Sequence, residues 1–125
     1  NTLTGVTTAG SIAVTGEGNS TTTNLQQGLA KGFICIDVSA QAAFSSDDSF
    51  NMASVTDNGT GNFTVTFTNA MATARYPAPG GCYASDGKVV GTLGEATTGT
   101  NMRIADNGGS VSDTDSYMAI IGTMA

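Results

Sequence analysis

Apolar and polar residues alternate strictly in the middle of the chain. Phe63, Val65 and Phe67 are each followed by a threonine, which is the period of a strand with one dry face and one wet or partner-facing side. The Asp57-Asn58-Gly59 run before this strand supplies residues that tolerate a positive φ at a chain reversal. The pattern over 55–71 therefore predicts a β-hairpin.

Further short runs of strand-forming residues flank this hairpin. Residues 33–38 are apolar on both faces except at Asp37, which predicts a central strand. A second strand is expected at 50–55, after a polar turn at 45–48. Later strands are predicted at 81–85, 89–93, 101–105 and 117–122, with turns at 86–87, 97–99 and 106–109 and a breaker-rich link at 75–81. Short strands separated by such turns predict an all-β fold, an antiparallel β-sandwich of jelly-roll-like form.

The first 30 residues differ from the rest because large apolar side chains are sparse among threonine, glycine, serine and asparagine. Two interpretations stay open. A segment of low hydrophobicity can be a flexible linker, or it can be a fibrous spacer whose few apolar residues meet their copies around a three-fold axis. We expect a spacer and lead-in at 1–30, with a short turn or helical segment at 24–31, and the sandwich at 31–125. The candidate spacer contacts are Leu3, Val6, Ile12, Val14, Leu25 and Leu29.

Composition agrees with a β-rich chain and limits its core. The 125 residues include 17 glycines, and charged residues make up 11%, whereas helical domains carry far more Glu, Lys, Leu and Arg. Large apolar side chains are few, so the core available to one isolated chain is thin. A domain of this size gains burial most easily by oligomerisation.

Charge argues against two classes of partner. The formal net charge is −6 and the four basic residues are scattered along the sequence. Phosphate contacts need several converging Lys or Arg side chains, so we expect no nucleic-acid binding and no anionic membrane surface as partner. No apolar run approaches the roughly 20 residues that span a bilayer.

The sequence contains few residues that could form a catalytic site. The chain has no histidine, which excludes Ser–His and Cys–His nucleophile pairs. The carboxylate pairs Asp47-Asp48 and Asp113 with Asp115 lie in polar stretches typical of solvated turns. We therefore expect no enzyme activity and no cofactor. Asp113 and Asp115 remain the candidates for a hard cation, although the spacing of a calcium-binding EF-hand is absent.

The two cysteines, Cys35 and Cys82, lie in or beside predicted strands. They allow one disulfide, but only if their Cα atoms come within about 4.4–6.8 Å. The alternative, which we favour, is that both are small buried core residues with free thiols.

Two segments resemble a known structural module. Residues 22–31 read Thr-Thr-Asn-Leu-Gln-Gln-Gly-Leu-Ala-Lys, and residues 56–65 read Thr-Asp-Asn-Gly-Thr-Gly-Asn-Phe-Thr-Val. With the strands at 33–38 and 49–55 between them, they resemble a module of tail-fibre and related virion proteins of tailed bacteriophages. The resemblance covers about 50 residues and ends near residue 71. It implies a homotrimeric structural protein of the phage particle, assembled in the host cytoplasm beside other virion proteins.

Within that resemblance, the part of the chain after residue 71 is individual, as expected of a surface that varies with its target. It implies a fibre or tail domain that presents loops for attachment to the host surface, with a glycan or another receptor as partner. The alternative is a capsid decoration, cement or head-fibre protein that stabilises the particle. The loop residues predicted to contact a receptor or partner are Tyr76, Tyr83, Asp106, Asn107, Asp113 and Asp115.

Overall fold

The computed structural model describes residues 13–15, 22–24, 29–38, 45–83 and 87–125. Every regular element within these ranges is a β-strand, which confirms the predicted all-β class. The strands are β1 Ala13–Thr15, β2 Thr22–Asn24, β3 Ala30–Asp37, β4 Ser45–Phe50, β5 Met52–Asp57, β6 Asn62–Phe67, β7 Gly80–Cys82, β8 Lys88–Ala96, β9 Gly99–Asp106 and β10 Ser116–Ile121.

Eight of these strands form two antiparallel four-stranded sheets. The first sheet has the order β4-β3-β10-β7 and the second has the order β5-β6-β9-β8. The short strands β1 and β2 pair antiparallel with each other within the predicted spacer. A jelly-roll order, built from two Greek keys, is not confirmed by this topology, because the hairpins β3–β4, β5–β6 and β8–β9 each stay within one sheet.

One hydrophobic core joins the buried faces of the two sheets. The first sheet contributes Ile34, Ile36, Met118 and Ile120, and the second contributes Phe63, Val65, Phe67, Met102 and Ile104. In β6 the burial alternates at every residue, as the sequence period predicts. The two sheets therefore pack in a sandwich-like arrangement.

The β5–β6 hairpin is confirmed with its turn. The Asp57 carboxylate accepts a hydrogen bond from the Gly59 amide at 2.7 Å, and the Asn62 amide donates to the Gly59 carbonyl at 2.9 Å. Gly61 then adopts a φ of +66° at a place where an added Cβ would lie 2.7 Å from the Ile104 carbonyl oxygen. Only glycine meets both conditions at this position.

The expected polar turn at 45–48 is wrong, because these residues begin strand β4, which pairs with β3. Strand β4 lies at the edge of its sheet, where polar residues are tolerated on the face turned to solvent. The single strand expected at 50–55 is also interrupted. Asn51 adopts a φ of +61°, and the chain passes there from the first sheet to the second.

The short turn or helical segment expected at 24–31 is not helical at either end of that range. Asn24 ends β2, and Ala30 and Lys31 begin β3; residues 25–28 lie outside the described part of the chain. The predicted later strands at 81–85, 89–93, 101–105 and 117–122 correspond to β7, β8, β9 and β10 with shifted ends. The turn at 97–98 and the turn after Asp106 are present as expected.

The link at 75–81 runs beside strand β10 of the first sheet. The Ile121 amide donates to the Pro77 carbonyl at 3.0 Å, and the Ala119 amide donates to the Pro79 carbonyl at 2.9 Å. Proline has no amide hydrogen but keeps its carbonyl acceptor, so this position beside a strand suits both residues.

Candidate functional site

Tyr76 is a core residue, which makes its predicted place in an exposed loop wrong. Its side chain is 8% exposed and packs against Phe67 with ring centroids 5.7 Å apart. The hydroxyl donates toward the carbonyls of Gly99 at 2.8 Å and Ala96 at 3.1 Å. Burial raises the pKa of the Tyr76 phenol above its usual value. The proline and glycine residues around Tyr76 gave no signal of this burial.

Asp106 organises the turn that follows β9. Its carboxylate accepts the backbone amides of Ser110 and Gly108, each at 2.9 Å. Hydrogen bonding from the Ser110 amide is the main cause that holds the pKa of Asp106 below its usual range. Asn107, at the tip of this turn, is exposed as predicted.

Asp113 and Asp115 fasten the segment before β10 to two different parts of the fold. Asp113 Oδ1 accepts the Gly61 amide at 2.7 Å, and Asp115 Oδ1 accepts the Val38 amide at 3.0 Å. Each of these oxygens is thus occupied by a backbone donor. Within the described ranges, no group of three or more His, Cys, Asp or Glu side chains is placed to hold a metal ion, and the candidate cation at this pair gains no support.

The candidate spacer residues are only partly visible. Leu3, Val6, Ile12 and Leu25 lie outside the described residues, and Val14 lies in β1, where only the backbone is described. Leu29, which directly precedes β3, is 53% exposed. Among the described residues, no helix is long and apolar enough to cross a bilayer.

The two cysteines face opposite sides of the first sheet. Cys35 is opposite Tyr117 in the β3–β10 pairing, whereas Cys82 is opposite Ser116 in the β7–β10 pairing. Adjacent strand residues point to opposite faces, and β10 separates the two cysteines, so a disulfide within one chain is excluded and both thiols are free. Cys82 packs against the core as favoured from the sequence, but Cys35 lies on the outer face.

The outer face of the first sheet carries a tyrosine pair, Tyr83 and Tyr117, which are 52% and 43% exposed. Their rings meet edge to face with centroids 5.2 Å apart. A Cβ added at Gly81 would lie 2.6 Å from Tyr117 Oη, so Tyr117 lies across the bare backbone of β7. The Tyr83 ring extends in turn toward β3, where its Oη lies 4.0 Å from Cys35 Sγ.

Beyond this tyrosine pair lies a concave site, which we call the acidic groove. Its volume is about 390 Å³, and it is lined by Cys35, Ile36, Asp37, Asp48, Tyr83 and Asp115. Asp48 faces Cys35 directly across the β3–β4 pairing. Three carboxylates from three segments thus line one groove beside an exposed aromatic ring.

The other end of the same outer face is apolar. Phe33 and Phe50 lie on neighbouring strands with ring centroids 6.2 Å apart, and Phe50 is 51% exposed. Ile121, which pairs with Ala30 at the start of β3, and Leu29 complete this apolar end. The outer face therefore changes from apolar, where the chain enters β3, to aromatic and acidic, where β3 ends.

Of the predicted loop residues, the structure brings only Tyr83 and Asp115 together in this groove, while Asp106 and Asp113 act in turns elsewhere. The site residues predicted from the sequence did not include Cys35, Asp37, Asp48 and Tyr117. One sequence feature could have indicated this site. The run at 33–38 is apolar on both faces, which is typical of a strand covered on both sides, whereas the described part of the chain covers only the inner face of β3.

No protein-family model matches the chain, and searches among curated proteins and solved structures find no match either.

Proposed function

We propose that this chain is a non-enzymatic structural domain of a bacteriophage particle, a fibre or tail module that assembles as a homotrimer and presents loops to the host surface. The sequence at 22–31 and 56–71 supports this proposal through its resemblance to virion fibre modules. The structural observation that carries it is the apolar end of the outer face, formed by Leu29, Phe33, Phe50 and Ile121.

The apolar end is suited to contact between copies of the chain. Several large side chains that are exposed in one chain lie together there, and burying one such side chain contributes about 1.5–3 kcal/mol. Homo-oligomers close by rotational symmetry, and three copies around an axis would bury this end of each chain. The spacer would then continue along the same axis, because the chain enters β3 at that end.

The other end of the outer face, where β3 ends, would stay exposed in such a trimer and could contact the host surface. It carries the acidic groove and Tyr83, and the turn after Asp106 is braced by hydrogen bonds from Gly108 and Ser110. Loops held in one conformation lose less entropy on binding than mobile ones. We therefore propose that this end meets the host-surface glycan or receptor.

The test measures where fluorescently labelled protein binds. We expect saturable binding to bacterial cells of the host, competed by unlabelled protein, and no hydrolysis of surface polysaccharide. Binding to purified capsids without binding to cells would favour the alternative, a decoration, cement or head-fibre protein. Release of sugar from cell-surface polysaccharide would contradict the non-enzymatic assignment.

A further inference from the structure

The acidic groove has the side chains and the size of a carbohydrate subsite. We propose that it binds one neutral sugar residue, with Tyr83 against the apolar face of the pyranose ring and the groove carboxylates on its hydroxyl groups. This inference rests on the proposed function only for the source of the sugar, a glycan on the host surface; the binding chemistry is independent of it.

Tyr83 is the stacking surface in this arrangement. Half of its side chain is exposed, yet its ring is held on one side by the edge-to-face contact with Tyr117 and its hydroxyl end lies at Cys35. An aromatic ring fixed in this way offers a large apolar surface at low entropic cost. The C–H face of a pyranose is the complementary surface among water-soluble ligands.

The carboxylates supply the polar part of the site. Asp48 comes from the edge strand β4, Asp37 ends β3, and Asp115 is held in place by the Val38 amide. Carboxylate oxygens are pure acceptors and form strong, short hydrogen bonds with O–H donors. Two neighbouring sugar hydroxyls present such donors.

Charge selects a neutral sugar over an acidic one. Among the described residues, no Lys or Arg side chain lines the groove, and the whole chain carries a formal charge of −6. A sialic or uronic acid would place its carboxylate in a groove lined by three other carboxylates, and repulsion between like charges costs free energy. The volume of about 390 Å³ lies at the lower end of the range of small-molecule sites, about 300–1,000 Å³, which suits one sugar ring.

A second cavity of similar size differs from the acidic groove in the side chains that line it. It has about 430 Å³ and is lined partly by Asn58, Thr64 and Asn101 on the other sheet. There Asn58 donates to Thr64 at 2.7 Å, and Thr64 donates to Asn101 at 2.8 Å. The described lining of this cavity includes one aromatic residue, Phe63, which is fully buried, so we assign the sugar to the acidic groove, where Tyr83 is exposed.

The experiment is an NMR titration of the full 125-residue chain, uniformly labelled with ¹⁵N. The probes are the methyl glycosides of glucose, galactose, mannose and N-acetylglucosamine, with sialic acid and calcium chloride as separate additions. We expect at least one neutral glycoside to shift the amide signals of residues 35–37, 48 and 83, with a dissociation constant of order 1 mM, as suits a ligand of this size. Sialic acid and calcium should leave these signals unmoved.

Two groove variants and one matched control decide the location. Tyr83→Ala and Asp48→Asn should each weaken binding at least tenfold, since both residues are exposed and their replacement leaves the core intact. Leu93→Ala, which removes a 55% exposed side chain from the other sheet, should bind like the parent chain.

Three results would overturn the inference: no shift with any of the four glycosides, equal binding by the groove variants, or shifts at these residues with calcium or sialic acid alone. None of these results bears on whether the chain forms a trimer or binds cells, because those two properties are measured in separate experiments. Conversely, a monomer that still binds a neutral glycoside in the groove would refute the proposed fibre role and leave the sugar site standing.

Discussion

At the residue scale, single side chains replace missing backbone partners at the points where the chain changes direction. Asn51 is the clearest case, because its amide group bonds to both backbone groups of Asn69. Its Oδ1 accepts the Asn69 amide at 2.7 Å and its Nδ2 donates to the Asn69 carbonyl at 3.1 Å. Asparagine also tolerates the left-handed conformation better than most residues do. This one residue therefore couples the two sheets at the end of β4.

Replacing Asn51 tests this coupling. Asn51→Ala should lower the free energy of unfolding by about 2–3 kcal/mol, since two hydrogen bonds of about 1 kcal/mol each are lost and alanine is strained at positive φ. Urea unfolding followed by far-UV circular dichroism, at one protein concentration, measures it. Asn51→Gly is the control that removes the bonds without the strain, so it should lose less. A loss below about 0.5 kcal/mol for the alanine variant, typical of an ordinary surface site, would contradict this role.

Two glycines in the β5–β6 turn separate backbone strain from steric conflict. Gly59 and Gly61 both have positive φ, but an added Cβ at Gly59 meets no atom within 4 Å, whereas at Gly61 it meets Ile104 and Ser112 backbone atoms at 2.7 and 2.9 Å. Gly59→Ala should cost about 1–2 kcal/mol from strain alone. Gly61→Ala should cost about 1–3 kcal/mol more, because the backbone must also move. Equal midpoints in urea for the two variants would show that Gly61 is not confined as described.

At the element scale, strands with apolar residues in their sequence could be predicted, and the polar start of β4 could not. Strand β6 follows its alternation residue by residue, and β9 and β10 were found with small shifts in their ends. The start of strand β4 was missed because residues 45–48 are all polar and carry no alternation of apolar and polar residues. Tyr76 was misplaced for a related reason, since turn-forming neighbours say nothing about what a side chain packs against.

The acidic groove likewise could be predicted from the sequence only in part. Asp115 and Tyr83 could be singled out from the sequence as residues of polar, turn-rich stretches. Their meeting with Asp48 could not, because it depends on the strand order β4-β3-β10-β7. The acidic groove therefore depends on the sheet topology. The only sequence feature that indicated a contact surface on the outer face of β3 was that residues 33–38 are apolar on both faces.

Strand β7 offers an element-scale test, since its neighbouring glycines face different constraints. A Cβ at Gly80 would lie 2.6 Å from the Tyr117 backbone carbonyl and 2.9 Å from Val90, whereas at Gly81 it would meet only the Tyr117 ring. We expect Gly80→Ala to cost about 1–3 kcal/mol by overpacking. Gly81→Ala should cost under about 1 kcal/mol, since the exposed ring can move aside, as judged against ordinary surface changes.

Two readouts check this pair. Urea unfolding ranks the two variants, and near-UV circular dichroism reports the tyrosine pair, which should change more in Gly81→Ala. A larger loss of stability for Gly81→Ala than for Gly80→Ala would contradict the placement of Tyr117 across β7.

At the scale of the whole molecule, the outer face of the first sheet divides into an apolar end and an acidic groove. The apolar end lies where the chain enters β3, and the groove lies where β3 ends. The proposed fibre module would use this division, with self-association at one end and recognition at the other. In that proposal, contact between copies would add burial to a chain whose sequence offers few large apolar side chains.

A charge at the apolar end should break the assembly without unfolding the chain. Phe50→Asp introduces a carboxylate at a side chain that is 51% exposed in one copy, so the fold survives while burial between copies becomes unfavourable. We expect monomers with unchanged far-UV circular dichroism. Leu93→Asp, at a similarly exposed site on the other sheet, is the matched control and should keep the parent assembly. Dissociation by both variants alike would argue against a specific interface.

The molar mass of the full chain in solution, measured by light scattering across a range of protein concentrations, tests the account most directly. We predict three times the 12.5 kDa mass of one chain, retained on dilution into the micromolar range. A folded monomer at all concentrations would contradict the trimeric fibre module and would leave the apolar end without its proposed partner.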